Sequence, residues 1–143
     1  MGNGYNTALV LGAGLSLLAA LMHVGVIVKG PSWYHLFGAG ERFVRAAQAG
    51  RKFPAVVTMG IALVLGGWSA YALSGAGIID PLPLLRPALC VITLVYLLRG
   101  LLGPFVLAGT GRSVRFIMIS SAICLIFGLV HLFGVVQVWG RLA

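Results

Sequence analysis

Long apolar stretches alternate with short polar connections along the chain. The apolar stretches cover residues 6–28, 54–74, 84–106 and 114–139. A helix of about 20 residues is long enough to cross a hydrocarbon layer of about 30 Å. The pattern predicts an all-α integral membrane protein: a compact bundle of four transmembrane helices that forms a single membrane domain over residues 1–143.

The connection between the first two stretches has a different pattern. Glu41, Arg45 and Lys52 recur there at helical spacing, with apolar residues on other sides of the same turns. This spacing predicts a short amphipathic helix that lies in the headgroup region. Trp33 and Tyr34 precede it, and we expect them to anchor the segment at the membrane interface.

Composition supports the membrane assignment. Hydrophobic residues make up 60% of the 143 positions and charged residues only 8%, whereas soluble domains carry roughly 25% charged residues. The net charge of +8 resides mainly between the apolar stretches, and no basic face with interleaved aromatic residues suggests nucleic-acid binding. The predicted partner is therefore the lipid bilayer.

The basic residues are distributed unevenly between the two membrane sides. Arg112 and Arg115 lie in the third connection, while Arg86 and Arg141 lie on the opposite side. The first connection adds Lys29, Arg42, Arg45, Arg51 and Lys52. Because such an excess marks the cytoplasmic side, we expect both termini to be periplasmic or extracellular.

The first apolar stretch has no basic residue before it, which predicts a retained anchor instead of a cleaved signal peptide. The layout, with its alanine, glycine and arginine bias, resembles that of small four-span bacterial membrane proteins. This resemblance implies a multi-pass protein of the bacterial cytoplasmic (inner) membrane. Dual-topology dimers of the small multidrug-efflux or fluoride-channel kind need balanced loops, which this chain lacks.

Small residues recur every four positions in three of the stretches, a spacing that lets helix backbones approach closely in lipid. These residues are Ala8, Gly12, Ser16 and Ala20 in the first stretch, Gly66, Ala70 and Ser74 in the second, and Ser120, Cys124 and Gly128 in the fourth. We expect these faces to pack the bundle, and they also allow a homo-oligomer.

The histidines and cysteines give no clear cofactor. His23 and His131 project from packing faces, but helical rise puts them about 13 Å apart in depth, which disfavours a haem held by both. Cys90 and Cys124 differ in depth by about 15 Å, too far for a disulfide. No metal site is expected, because His35 has no second ligand at i+3 or i+4.

Depth groups the remaining polar residues into two sets. The candidate ligand-binding set on the cytoplasmic side contains His23, Trp33, Tyr34, His35, Glu41 and Arg99. The secondary set on the outer side contains Tyr71, Asp80, Arg86, His131 and Gln137. The first set combines a base, a fixed cation and a carboxylate, which suits an apolar ligand with an anionic or carbonyl group.

Three of these residues have simpler explanations. Arg99 could extend to lipid phosphate without any function. Glu41 could pair with Arg45 one turn later. Asp80, which precedes Pro81, could be a turn residue. No motif identifies a catalytic residue.

The leading hypothesis is a binding or accessory component that holds an apolar or amphiphilic small molecule, such as a lipid or quinone, between helices near the cytoplasmic face. One alternative is a membrane-embedded enzyme in which His23 or His35 carries a proton. A second alternative is a transporter or channel subunit, for which a water-accessible path should link the two polar sets.

Overall fold

Four long helices dominate the computed structural model, which describes residues 4–142. They are α1 (Thr7–Lys29), α4 (Phe53–Ala76), α5 (Leu85–Val106) and α6 (Val114–Val138). Two short helices, α2 (Pro31–Leu36) and α3 (Glu41–Gln48), connect α1 to α4, and a 3₁₀ turn over Trp139–Arg141 follows α6.

All four long helices are apolar and long enough to cross a membrane. Their bounds lie within two residues of the predicted spans, and the amphipathic helix falls between the first and second spans, as expected. The chain is thus a multi-pass, all-α membrane protein, and the predicted fold class is confirmed. Residues 1–3 and 143 of the predicted single domain lie outside the described residues.

The two ends of the bundle differ in charge. One end, called the basic end below, contains α2, α3 and the connection from α5 to α6. The other, called the terminal end, contains the start of α1, the connection from α4 to α5 and the end of α6.

Local sequence signals explain where the helices begin and end. Asn6 caps α1, because its side-chain oxygen accepts a hydrogen bond from the Leu9 amide at 2.8 Å. Gly30, with φ of 74°, ends α1, and Pro31 occupies the first turn of α2, where a missing N–H does no harm. Gly77, with φ of 83°, ends α4 in the left-handed conformation.

The helix α2 was not predicted. It packs with α3 on the basic end of the bundle, where Val26, Tyr34 and Val44 form a small buried cluster. The Tyr34 hydroxyl lies 3.0 Å from the Thr58 hydroxyl on α4. Tyr34 therefore holds the interfacial segment against the bundle, whereas the sequence suggested an anchor among lipid headgroups.

The long helices form two antiparallel pairs. Helix α1 packs mainly against α4, and α5 packs mainly against α6. The Ser69 hydroxyl of α4 donates to the Ala13 carbonyl of α1 at 2.8 Å. The two pairs are joined by smaller contacts of α1 with α6 and of α4 with α5, and by a hydrogen bond of 2.8 Å between the Ser16 and Tyr96 hydroxyls.

The small-residue prediction holds for some helices and fails for others. Gly12, Ser16 and Ala20 are buried on α1, as expected. On α4 the predicted stripe is wrong at Gly66, which has open space beside it, although its third member, Ser74, is buried. The buried residues of α4 are Pro54, Thr58, Ala62, Leu65, Ser69, Ala72, Ser74 and Ala76.

Candidate functional site

Arg99 has the most unusual environment among the polar residues of the spans. Its guanidinium donates two hydrogen bonds across the α5–α6 interface, from Nη1 to the Ser121 hydroxyl and from Nη2 to the Ser120 hydroxyl, both at 3.2 Å. Ser120 in turn donates to the Ile117 carbonyl. The guanidinium is thus held beside two neighbouring hydroxyl groups and beside Gly103, about one turn nearer the end of α5 than the Arg99 backbone.

The backbone of Arg99 is inside the span, about two turns, or ~10 Å, before the end of α5 at Val106. Its side chain extends about one turn towards that end to reach the serines, because Gly100 lies against Leu125 and Gly103 lies against Ser121. A charge in the hydrocarbon region is expensive, by roughly 3 kcal/mol on insertion scales. Two neutral hydroxyl groups offset only part of that free energy, because they carry no opposite charge.

Neither carboxylate side chain of the protein approaches Arg99. The sequence contains two acidic residues, Glu41 and Asp80. Glu41 is exposed on α3, where its carboxylate lies 4.0 Å from Arg45. Asp80 is exposed in the α4–α5 connection at the terminal end. No side chain of the protein therefore supplies the counter-charge that an intramembrane arginine usually has.

The surroundings of Arg99 leave room for the guanidinium and expose an apolar surface. A Cβ atom at Gly103 would overlap both the Arg99 guanidinium and the Ser121 hydroxyl, so a larger residue there would displace these two groups. Val95 and Val91, one and two turns before Arg99 on the same face, are exposed. They continue this face from Arg99 towards the middle of the bilayer. A cation thus lies at one end of an apolar strip.

The structure does not gather the other members of the predicted cytoplasmic set around Arg99. Tyr34 is buried against α4, and Trp33 packs on Phe37 with ring centroids 5.5 Å apart. His23 lies 2.7 Å, through Nδ1, from the Ala19 carbonyl of its own helix. His35 is exposed.

A second feature of the basic end is a recess of about 480 Å³ between α3 and the start of α4. Arg42, Arg45 and Arg51 line it together with Phe53. The Arg42 guanidinium carbon lies 5.9 Å from the centroid of the Phe53 ring, within the range of a cation–π contact. This recess is basic, and its arginine guanidinium groups are donors of the kind that bind phosphate groups.

The outer set is also dispersed. Tyr71 donates to the Pro83 carbonyl at 3.1 Å. The Arg86 guanidinium carbon lies 3.8 Å from the centroid of the Trp139 ring, a close cation–π contact. Gln137 accepts a hydrogen bond of 2.7 Å from Asn6. These contacts tie the helix ends and connections of the terminal end together.

His131 lies at the centre of the bundle, where it is completely buried. Its Nδ1 is 2.8 Å from the Phe127 carbonyl, so Nδ1 carries the proton and Nε2 is an acceptor. Within residues 4–142, Nε2 has no hydrogen-bond partner. The ring packs against Gly12, where a Cβ would come within 2.9 Å of it.

The positions of the histidines and cysteines bear on binding of haem, disulfide formation and metal binding. Gly12 lies against His131, and His23 lies about 16 Å further along α1, so the two imidazoles are well separated. Cys90 and Cys124 are free thiols. Across the described part of the chain, no three histidine, cysteine or acidic side chains are grouped as a metal site.

Sequence reasoning missed the serines as partners of Arg99. Ser120 was assigned to a packing face, and Ser121 and Gly103 were not considered. A usable signal was present, because two adjacent hydroxyl residues occur about two turns into the fourth span, on the same side of the membrane as Arg99 in the third span. The long side chain of arginine can reach such groups from more than one turn away.

Comparison with protein-family models, with curated proteins and with solved structures finds no match for this chain.

Proposed function

We propose that this protein is a non-catalytic membrane component that binds an amphiphilic small molecule at Arg99. The ligand has an anionic or carbonyl head group and an apolar tail, as a lipid or a quinone has. Its head contacts the guanidinium beside Ser120 and Ser121, and its tail follows Val91 and Val95 towards the bilayer centre.

One observation carries the proposal: the guanidinium of an arginine inside a span is held between α5 and α6 by two neutral hydroxyls, with both acidic side chains of the protein elsewhere. An anionic head group supplies the missing counter-charge, and an arginine fork can donate two parallel hydrogen bonds to it. In a medium of low dielectric constant this attraction is stronger than in water.

The packing supports a binding component over the two alternatives. The rings of Trp68, Tyr96 and Phe127 pack edge to face in the middle of the bundle, with centroids 5.0 and 5.5 Å apart. Such a filled centre does not favour a transporter or channel path. His23 and His35 are separate from the Arg99 site, which does not favour proton transfer to a ligand bound there.

The proposal includes the compartment. We place the protein in a bacterial cytoplasmic membrane with its basic end in the cytoplasm and both termini on the periplasmic or extracellular side. The excess of arginine and lysine at the basic end supports this orientation. Arg99 then lies in the cytoplasmic half of the membrane, and its ligand enters from the cytoplasmic leaflet.

The test is mass spectrometry of the molecules that remain bound after extraction in a mild detergent. The wild-type chain should retain one class of anionic or carbonyl-bearing amphiphile. In Arg99→Gln, this ligand should fall about tenfold, which corresponds to the loss of one charge-assisted interaction of about 1.4 kcal/mol.

Arg115→Gln is the matched control, because it removes the same charge from the same end at an exposed position outside the Arg99 site. This variant should retain the ligand. The double variant Ser120→Ala with Ser121→Ala should weaken retention less than Arg99→Gln does, because it leaves the cation in place. Equal retention by Arg99→Gln and wild type would contradict the proposal.

A further inference from the structure

A second groove lies at the terminal end, between the start of α1 and the end of α6. Its volume is about 870 Å³, which is within the range of small-molecule sites. Asn6, Gln137 and Arg141 line its outer part. Leu11, Leu129 and Phe133 line the part that is deeper in the membrane.

The hydrogen bonds at the outer part determine which atoms a ligand can meet. The Leu9 amide can only donate, so the Asn6 atom that receives it is the side-chain oxygen. The Asn6 nitrogen then donates to Gln137, and the Gln137 atom that receives it must also be oxygen. The Gln137 amide nitrogen, with two N–H bonds, is the atom left for a ligand.

Charge at the groove is positive. Arg141 is the charged residue among those lining it, and the two acidic residues of the sequence, Glu41 and Asp80, are not part of it. Arginine and an amide nitrogen are both hydrogen-bond donors. The outer part of the groove therefore presents donors and a positive charge to a head group that accepts hydrogen bonds.

Polarity changes with depth in the manner that an amphiphile requires. Leu129 lies about 12 Å below Gln137 along α6, given a rise of ~1.5 Å per residue. Leu129 and Phe133 are exposed to the lipid region, with 52% and 62% of their surfaces accessible. The groove is thus polar at the height of the headgroups and apolar at the height of the acyl chains.

We infer that this groove is a site for one anionic phospholipid of the leaflet at the terminal end. Its phosphate accepts hydrogen bonds from the Gln137 amide and the Arg141 guanidinium, and one acyl chain occupies the space between Leu11, Leu129 and Phe133. This site is at the opposite end of the bundle from Arg99, and it does not depend on the function proposed there.

The test uses the Arg99→Gln chain, so that only the groove is measured. Phosphatidylglycerol and phosphatidylethanolamine are titrated separately into detergent-solubilised protein, and native mass spectrometry counts bound lipids per chain. Phosphatidylglycerol should bind more tightly. Gln137→Glu keeps the oxygen that Asn6 needs but replaces the donor with a negative charge, so binding should fall by about tenfold or more, or at least 1.4 kcal/mol.

Two further variants separate specific recognition from general charge. Arg141→Gln should also weaken phosphatidylglycerol binding by about tenfold. Arg86→Gln removes the same charge at the same end, but Arg86 stacks on Trp139 outside the groove, so the loss should be less than about twofold.

Three outcomes would overturn the inference. One is equal affinity for the two lipids. Another is an equal loss in Arg86→Gln and Arg141→Gln, which would indicate a diffuse charge effect. The third is a dimer that forms in place of the lipid complex and dissociates in Gln137→Glu, which would identify the occupant as a second copy of the chain.

Discussion

The close contact between α5 and α6 predicts that a larger residue at Gly100 destabilises the bundle. A Cβ atom at Gly100 would lie 2.6 Å from the Leu125 backbone nitrogen and 2.7 Å from its Cα. Because these are backbone atoms, no change of side-chain rotamer can relieve the overlap. Gly100→Ala therefore requires the two helices to move apart.

Gly67 provides a matched control. It also lies in the interior of a membrane-spanning helix, but no atom lies within 4 Å of the position that its Cβ would occupy. Both substitutions gain the same helix propensity, up to about 1 kcal/mol. Their difference therefore isolates the close approach of α5 and α6.

The magnitude follows from the cost of overpacking, which is about 1–3 kcal/mol. Gly67→Ala should raise the free energy of unfolding by up to about 1 kcal/mol. Gly100→Ala should be less stable than Gly67→Ala by about 1–3 kcal/mol. Reversible unfolding in mixed micelles of mild detergent and SDS, followed by far-ultraviolet circular dichroism, measures both values.

If the two variants unfold with the same free energy, the helices do not touch at Gly100. That result would refute the helix pairing described above, because the α5–α6 contact also positions Ser120 and Ser121 against Arg99.

Three further predictions concern other parts of the chain. His131→Leu should leave stability unchanged or raise it by about 1–3 kcal/mol in the same unfolding assay, since it removes the unpaired Nε2 from the core, and a clear loss would mean that Nε2 has a partner. Leu84→Gly should raise stability by about 1 kcal/mol, because Leu84 has φ of 55°, and no gain would show that this backbone conformation is not strained. The third prediction uses a background in which the native cysteines are replaced by serine. In intact cells, a membrane-impermeant thiol reagent should label Ile79→Cys but not Arg45→Cys. The reverse labelling pattern would show that the proposed orientation is inverted.

The fold was predictable because the apolar stretches are long and are clearly separated by polar connections. Four apolar stretches separated by polar connections specify four helices, and Pro54, in the first turn of α4, marked where the second span begins. The interfacial helix was also visible, since Glu41 and Arg45 recur at helical spacing. Helix α2 was missed because a six-residue helix has too few turns to show a period.

The site was harder to predict because sequence spacing gives depth but not direction around the bundle. Arg99 was selected for its position within a span. Its partners depend on which helix lies beside α5 and on the rotation of that helix, and these follow from close contacts such as Gly100 with Leu125. The same limit placed Arg99 in one set with Tyr34 and Glu41, which lie on α2 and α3 in the segment that connects the other two long helices.

The most direct test of the central claim is photo-crosslinking at Arg99. A palmitic acid with a diazirine near its carboxylate, reconstituted with the protein in lipid nanodiscs, should label peptides from residues 91–106 and 117–124. Labelling should disappear in Arg99→Gln and persist in Arg115→Gln. Unchanged labelling of these peptides in Arg99→Gln, or labelling spread evenly over all four long helices, would contradict an amphiphile site at Arg99.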